Sequence, residues 1–262
     1  MTDTKFQDYI SPENWKTLNA LDGEKPDRMP FTDELAGETL ETRFGRAVWT
    51  LKLVDATTLC LYEGELPART HRYKARAVLD DVTLVEFQRA DRAEQAVTLV
   101  VDAGRSIATA VVSTCRGDTR HVSEEVLQGV LPGGDPADRH EATTELVGHR
   151  ALYTSGTSVY EHVYLNSSNY TWHCVTGPEK GQAATEFCQA FKIRDRVYLF
   201  TWIERVVPCD GVVVLDWVNL RLNGRIFGWD TAAEEYNMIH VGAGVLPLNV
   251  TSYEQAFRRG VE

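Results

Sequence analysis

The chain has 262 residues, 43% of them hydrophobic, 10% aromatic and 25% charged, an ordinary globular composition sufficient for one large core or two small ones. Its formal net charge is −11 and no Lys/Arg run is longer than a pair, which argues against nucleic acid and anionic membranes and for a small molecule or another protein as partner. A homodimer is compatible with this composition and is not specified by it.

The opening MTDTKFQDYI lacks the basic and apolar regions of a signal peptide, and the longest apolar runs, such as GVVVLDWV, are too short to cross a bilayer. A soluble, cytoplasmic protein is expected. The N-x-S/T triplets at Asn166, Asn169 and Asn249 matter only on a secretory route. Cys60, Cys115, Cys174, Cys188 and Cys209 are odd in number, widely spaced and free of C-x-x-C, so neither a disulfide framework nor a zinc site is expected.

In chain order, residues 1–34 form an extension in which SPENWKTLNAL (Ser11 to Leu21) carries the N-cap serine and first-turn proline of a short helix. From there most of the chain alternates with a period of two, and turn clusters (DAGRS, CRGD, LNSSN, PCDG, LNGR) recur about every ten residues, as in antiparallel barrels and sandwiches. The first β-unit spans 35–116. The polar, Gly/Pro-rich stretch 117–145 reads as a linker. The second unit spans 146–230, and 231–262 reads as a C-terminal extension whose SYEQAFRRG (Ser252 to Gly260) is a short helix.

The two units echo each other. LAGETLETRFGRAVW (Leu35 to Trp49) is matched by LVGHRALYTSGTSVY (Leu146 to Tyr160), and Asp80 to Val112 by Asp195 to Trp229. Such a repeat implies a duplicated β-unit, as two barrels or one composite sheet. Pairing Phe87 with Trp202 sets Arg89 opposite Glu204, and Thr83, Val85 and Phe87 opposite the larger Tyr198, Phe200 and Trp202. Chemistry is therefore expected in the second unit.

No G-x-S-x-G, phosphate loop, H-E-x-x-H or dinucleotide fingerprint is present, so no cofactor is expected. His162 and His173 lie on adjacent expected strands, but no third ligand joins them and no metal site is assigned. What stands out is an aromatic and polar cluster: Tyr153, Tyr160, His162, Tyr164, Tyr170, Trp172, Tyr198, Phe200, Trp202 and Glu204. These residues suit a barrel core because aromatics favour strands. Glu204 differs from the rest. In YLFTWIERVVP the two-residue period puts it on the Phe200/Trp202 face, where an apolar lining raises a carboxyl's pKa and prepares it for proton transfer near neutral pH. Otherwise it sits at a strand end, paired in solvent with Arg205 or Arg225.

YEHVYLNSSNYTWHC, GPEKG, FTWIERVVPCDGVVVLD and GRIFGWD resemble the C-terminal domain of the MoaF family, and LAGETLETRFGRAVW resembles that family's N-terminal domain. The resemblance covers roughly residues 30–230 and implies lipocalin-like antiparallel barrels whose interior can hold a ligand. A more distant likeness, carried by GHRALYTSGTSVYEHVYLN, VYLFTWIE and RLNGRIF, is to bacterial phenolic acid decarboxylases, which are lipocalin-like and free of cofactors. That likeness puts Tyr153 in the place of the first of two substrate-orienting tyrosines and Glu204 in the place of the proton-transferring glutamate. Ser155 stands where the second tyrosine would be, and Lys180 is the nearest cation to the missing arginine.

The fold expected is all-β, with two related lipocalin-like barrel units and short terminal helices. The leading functional expectation is a cofactor-free lyase or isomerase acting on a small aromatic or apolar molecule. Glu204 would be the acid/base, Tyr153 a hydrogen-bond donor to the substrate and Lys180 an anion contact. Tyr160, His162, Tyr170, Trp172, Phe200 and Trp202 would line the site. A non-catalytic carrier of such a molecule, and a filled barrel acting as a structural partner, are the competing expectations.

Overall fold

The computed structural model describes Leu18 and residues 29–116 and 121–252, and every element in it is a β-strand. The first unit comprises β1 (Thr39–Phe44), β2 (Ala47–Leu53), β3 (Thr58–Glu63), β4 (Arg69–Arg72), β5 (Lys74–Leu79), β6 (Val82–Gln88), β7 (Gln95–Asp102), β8 (Ile107–Arg116) and β9 (His121–Val130). They form one antiparallel sheet in the order β4-β3-β2-β1-β9-β8-β7-β6-β5. Its two edges, β4 and β5, are consecutive in sequence with only Tyr73 between them, so the sheet curls until its edges nearly meet. The Ala90 amide donates to His71 Nδ1 at 2.9 Å across that gap.

The second unit comprises β10 (His149–Ser155), β11 (Ser158–Tyr164), β12 (Asn169–Thr176), β13 (Ala183–Arg194), β14 (Val197–Ile203), β15 (Cys209–Asp216), β16 (Arg221–Asp230) and β17 (Glu235–Val250). Each pairs with the next and β17 pairs back to β10, with Tyr153 opposite Val245, so this barrel is closed. The repeat extends to backbone detail. Gly37 and Gly148 share φ near +88° and +84°, and the hairpin turns at Gly45 and Gly156 share φ near +60° and +56°, conformations that glycine adopts without a Cβ clash.

The barrels pack sheet on sheet. Along β14, Tyr198, Phe200 and Trp202 enter the second barrel's core, while Val197 and Leu199 join Val82, Leu84, Val100 and Val111 in a cluster between the barrels. Burial on both faces explains why β14 and β15 read as continuous apolar runs. Charged groups are also sealed in this interface. Arg225 is fully buried and donates to Asp210 at 2.6 Å and to Thr98 at 3.1 Å, and Ser113 donates to the second Asp210 oxygen.

Two boundaries differ from the sequence reading. The stretch 117–145 is not all linker, since β9 pairs along its length with β8 and touches β1 at Arg43–Val130. Its polar composition reflects partial exposure, and pairing in the sheet overrides it. Within the stretch 231–262, residues 235–250 are not an extension, because β17 closes the second barrel between β16 and β10. The glycines of VGAG hid this strand. Apart from Leu18 and Ser252, the expected terminal helices (Ser11 to Leu21 and Ser252 to Gly260) lie outside the described residues.

Candidate functional site

The second barrel holds a cavity of about 190 Å³. Tyr160, Tyr170, Trp172 and Trp202 supply aromatic walls, and Leu222, Ile226, Val241 and Ala243 supply an aliphatic one. Three carboxyl groups stand at or just behind the lining: Glu204, Glu179 and Glu186.

Glu204 is the first residue after β14, and its amide donates to the Cys209 carbonyl at 3.0 Å, which closes the turn leading into β15. The residue is half-buried, yet its Oε2 is sealed from solvent and receives no donor. Oε1 accepts the Trp202 indole N–H at 2.8 Å. Burial, and next the neighbouring Glu186 carboxylate, push its pKa up to about 8. Arg205 does not pair with it: its backbone amide donates to Glu186 Oε2 at 2.9 Å and its guanidinium lies over the Phe187 ring. Arg225 is held between the barrels.

Glu186 lies on β13, fully buried, with Oε1 lacking any donor. Burial raises its pKa as well, while the neighbouring Glu204 and the Arg205 amide favour its charged form. Two adjacent carboxyls in a dry site cannot both be ionised at low cost, so the pair holds one proton between them near neutral pH.

Of the other expected residues, Tyr153, Tyr160, His162, Tyr170, Trp172 and Trp202 are on the lining, and Phe200 and Lys180 are not. Tyr153 is on the lining with its pKa raised to about 12 by burial, and its hydroxyl shares a 2.6 Å hydrogen bond with that of Tyr164. His162 packs on Tyr153 with ring centroids 4.3 Å apart, and burial pushes its pKa down to about 3, so the ring is neutral. His173 points out of the barrel, 3.9 Å from Glu161. Phe200 lies deeper than the cavity, edge-on to Tyr164 and Tyr170. Lys180 is exposed and off the lining. The neighbouring Glu179 turns inward instead and accepts the Tyr160 hydroxyl. Sequence reasoning missed Glu179, Glu186, Cys209 and the aliphatic wall. The period-two pattern Ala184, Glu186, Cys188 of β13 carried the signal for Glu186, whereas Val241 and Ala243 lay in the stretch read as an extension.

The first barrel shows the same architecture filled. Through the repeat, Phe44 and Trp49 stand where the second unit has Ser155 and Tyr160, and they pack edge to face at 5.1 Å. Arg89, opposite Glu204 in the repeat, makes a two-pronged pair with Glu63 at 2.8 and 2.7 Å and a further bond to Asp91.

Fold and site together define a duplicated β-barrel protein with one filled barrel and one hollow barrel lined by aromatics and carboxyls. Family models agree with this division: the MoaF N-terminal domain matches residues 13–117 and the MoaF C-terminal domain matches residues 140–251. Protein MoaF of Klebsiella aerogenes is 30% identical over 241 residues, covering 89% of this chain and 85% of that one. The chain belongs to the MoaF family. Among solved structures, a Burkholderia vietnamiensis protein described as a candidate beta-lactamase covers 40% of this chain and 96% of its own at 12% identity and a TM-score of 0.33, too slight a likeness to carry an argument.

Proposed function

We propose that the protein is an acid/base enzyme of the lyase or isomerase type, working without a cofactor on a small aromatic or otherwise apolar molecule held in the second barrel. The observation that supports this most is Glu204 itself, a carboxyl on the cavity lining whose pKa is raised by burial and by the neighbouring Glu186 carboxyl. In this reading Glu204 delivers a proton to the bound molecule, and the Trp202 indole and the neighbouring Glu186 hold the carboxyl in place through the charge change. Tyr153 turns its hydroxyl to the substrate while Tyr164 satisfies it from behind. A pKa of about 8 keeps the acid form populated at neutral pH, so turnover falls as pH rises through that value.

The second reading is a non-catalytic carrier. It is favoured by the engagement of the Tyr153 hydroxyl with Tyr164 and by the position of Lys180 outside the cavity, which together leave the expected carboxylate clamp unmade. In both readings the partner is a small ligand and not nucleic acid or a membrane, and the protein is cytoplasmic. No helix among the described residues is long and apolar enough to cross a membrane.

The test is deuterium wash-in. Vinylphenols and enolisable aryl ketones are incubated with the protein in D2O and followed by proton NMR. The enzyme reading expects deuterium at carbon with the wild type and none with Glu204→Gln at unchanged ligand affinity. No deuterium with either protein moves the carrier reading to the front, and equal incorporation by both overturns Glu204 as the proton donor.

A further inference from the structure

We propose that the second-barrel cavity takes a neutral carbonyl compound about the size of one aromatic ring, whose oxygen is received by the Tyr170 hydroxyl and the His162 imidazole. This rests on that cavity being the ligand site, which both readings above share, and it does not depend on turnover.

The repeat singles out these two side chains. The loops β2–β3 and β11–β12 have the same length, so the alignment that sets Trp49 opposite Tyr160 also sets Leu51, Leu53 and Leu59 opposite His162, Tyr164 and Tyr170. The three leucines are fully buried, so the fold itself asks for nothing polar at these positions. Tyr164 engages its hydroxyl with that of Tyr153. The other two polar replacements stay unpaired among the described residues. Tyr170 is on the lining and only 1% exposed, and its hydroxyl makes no hydrogen bond there. His162 is on the lining as well, and its Nδ1 is sealed without a partner. Buried polar groups are normally paired, so two unpaired ones on one lining call for a partner brought by a ligand.

Both groups act as donors. Burial, and next the Glu204 carboxyl, hold the Tyr170 pKa well above the ordinary tyrosine value, so the hydroxyl keeps its proton. His162 is neutral and carries one ring proton. That proton belongs on Nε2, because a sealed N–H without a partner is costlier than a sealed lone pair. The two rings stand 5.0 Å apart, close enough to serve one ligand oxygen. A carbonyl oxygen has two lone pairs and no hydrogen, and so satisfies both donors. A carboxylate fits poorly: no lysine or arginine is on the lining, and Glu204 and Glu186 hold one proton between them. Volume sets the size limit. A cavity of about 150 Å³ holds benzene, so about 190 Å³ admits one ring with a short arm.

The test titrates acetophenone, ethylbenzene and benzoate, three ligands of similar shape, into the whole wild-type protein and into Tyr170→Phe and His162→Phe, following tryptophan emission. Acetophenone affinity is expected to fall roughly three- to tenfold in each variant, the effect of one lost hydrogen bond. Ethylbenzene, which has no acceptor, is expected to bind the variants as well as the wild type or better, and benzoate not to saturate. Infrared difference spectra add a readout that a merely structural role would not move. The C=O stretch of bound acetophenone is expected below its position in hexane with the wild type, and closer to it with each variant. Acetophenone losing no more affinity than ethylbenzene, saturable benzoate, or a wild-type stretch at the hexane position overturns the proposal while leaving the cavity reading intact. No binding of any of the three overturns both. The wild-type spectrum decides even if a variant fails to fold.

Discussion

Replacing Glu204 by glutamine tests the buried carboxyl directly through stability. Its pKa of about 8, against an ordinary 4.5, means that the folded protein binds this proton more tightly than the unfolded chain does. The sign follows from linkage. The contribution is complete below about pH 4.5, falls as pH rises from there to about 8, and is absent above. At about 1.4 kcal/mol per pH unit the full gap is a ceiling of about 5 kcal/mol. Glu186 shares the proton and the residue's edge is wetted, so roughly half of that, about 2–3 kcal/mol, is the working expectation. Glutamine is neutral at every pH and still offers the second carboxyl an N–H donor. The variant should therefore gain on the wild type by about 2–3 kcal/mol between pH 5 and pH 9, or roughly 5–10 °C in melting temperature for a chain of this size. Thermal melts of both proteins at pH 5, 7 and 9 measure it. Melting temperatures that run parallel across this range would refute the buried, protonated carboxyl.

Three further outcomes come from the same geometry. Glu186→Gln removes the second-largest cause of the Glu204 shift but not burial, so the pH midpoint of tryptophan emission should fall by roughly 1–3 units and stay above 4.5; an unmoved midpoint would contradict a shared proton. A Cβ on Gly211 would stand 2.1 Å from the Trp202 ring, so Gly211→Ala should displace that indole from Glu204, cost roughly 1–3 kcal/mol in urea denaturation and weaken ligand quenching. Arg225→Met leaves the Asp210 charge sealed between the barrels and should cost roughly 3–5 kcal/mol, most of it recovered in the double variant with Asp210→Asn; equal losses in the single and double variants would mean that the charge is not what matters.

The sequence was most readable where one physical rule dominates. The two-residue period placed Phe200, Trp202 and Glu204 on the inner face, and it holds because one face of β14 is the barrel interior. It could not show that the other face, with Val197 and Leu199, is covered by the first barrel, since an apolar run looks the same whatever covers it. β9 and β17 were lost because their pairing is set by strands distant in sequence, against local polarity in one case and glycine content in the other. Glu186 was readable as an inward residue of β13 but not as the partner of Glu204, because the register that brings them together belongs to the fold. Lys180 and Glu179 show the finest limit: neighbours in one turn exchanged roles, and only the turn's conformation decides which faces inward.

The duplication explains how one barrel can be hollow. An open cavity lined with carboxyls is unfavourable for a small domain that must bury enough apolar surface to stay folded. Here the first barrel fills its own centre with Phe44, Trp49 and Phe87 and neutralises Arg89 with Glu63. Its outer strands β6, β7 and β8 then cover the apolar outer faces of β14 and β15. The second barrel is thus stabilised from outside, and its interior is released from supplying a packed core. The positions after β6 and after β14, matched by the repeat, record that division: an ion-paired Arg89 closes one barrel, and Glu204, with its pKa raised, lines the cavity of the other. Cutting the chain between the units would expose Val197, Leu199, Val212 and Val214 together with the Asp210–Arg225 pair, so the hollow barrel should not persist as an isolated fragment.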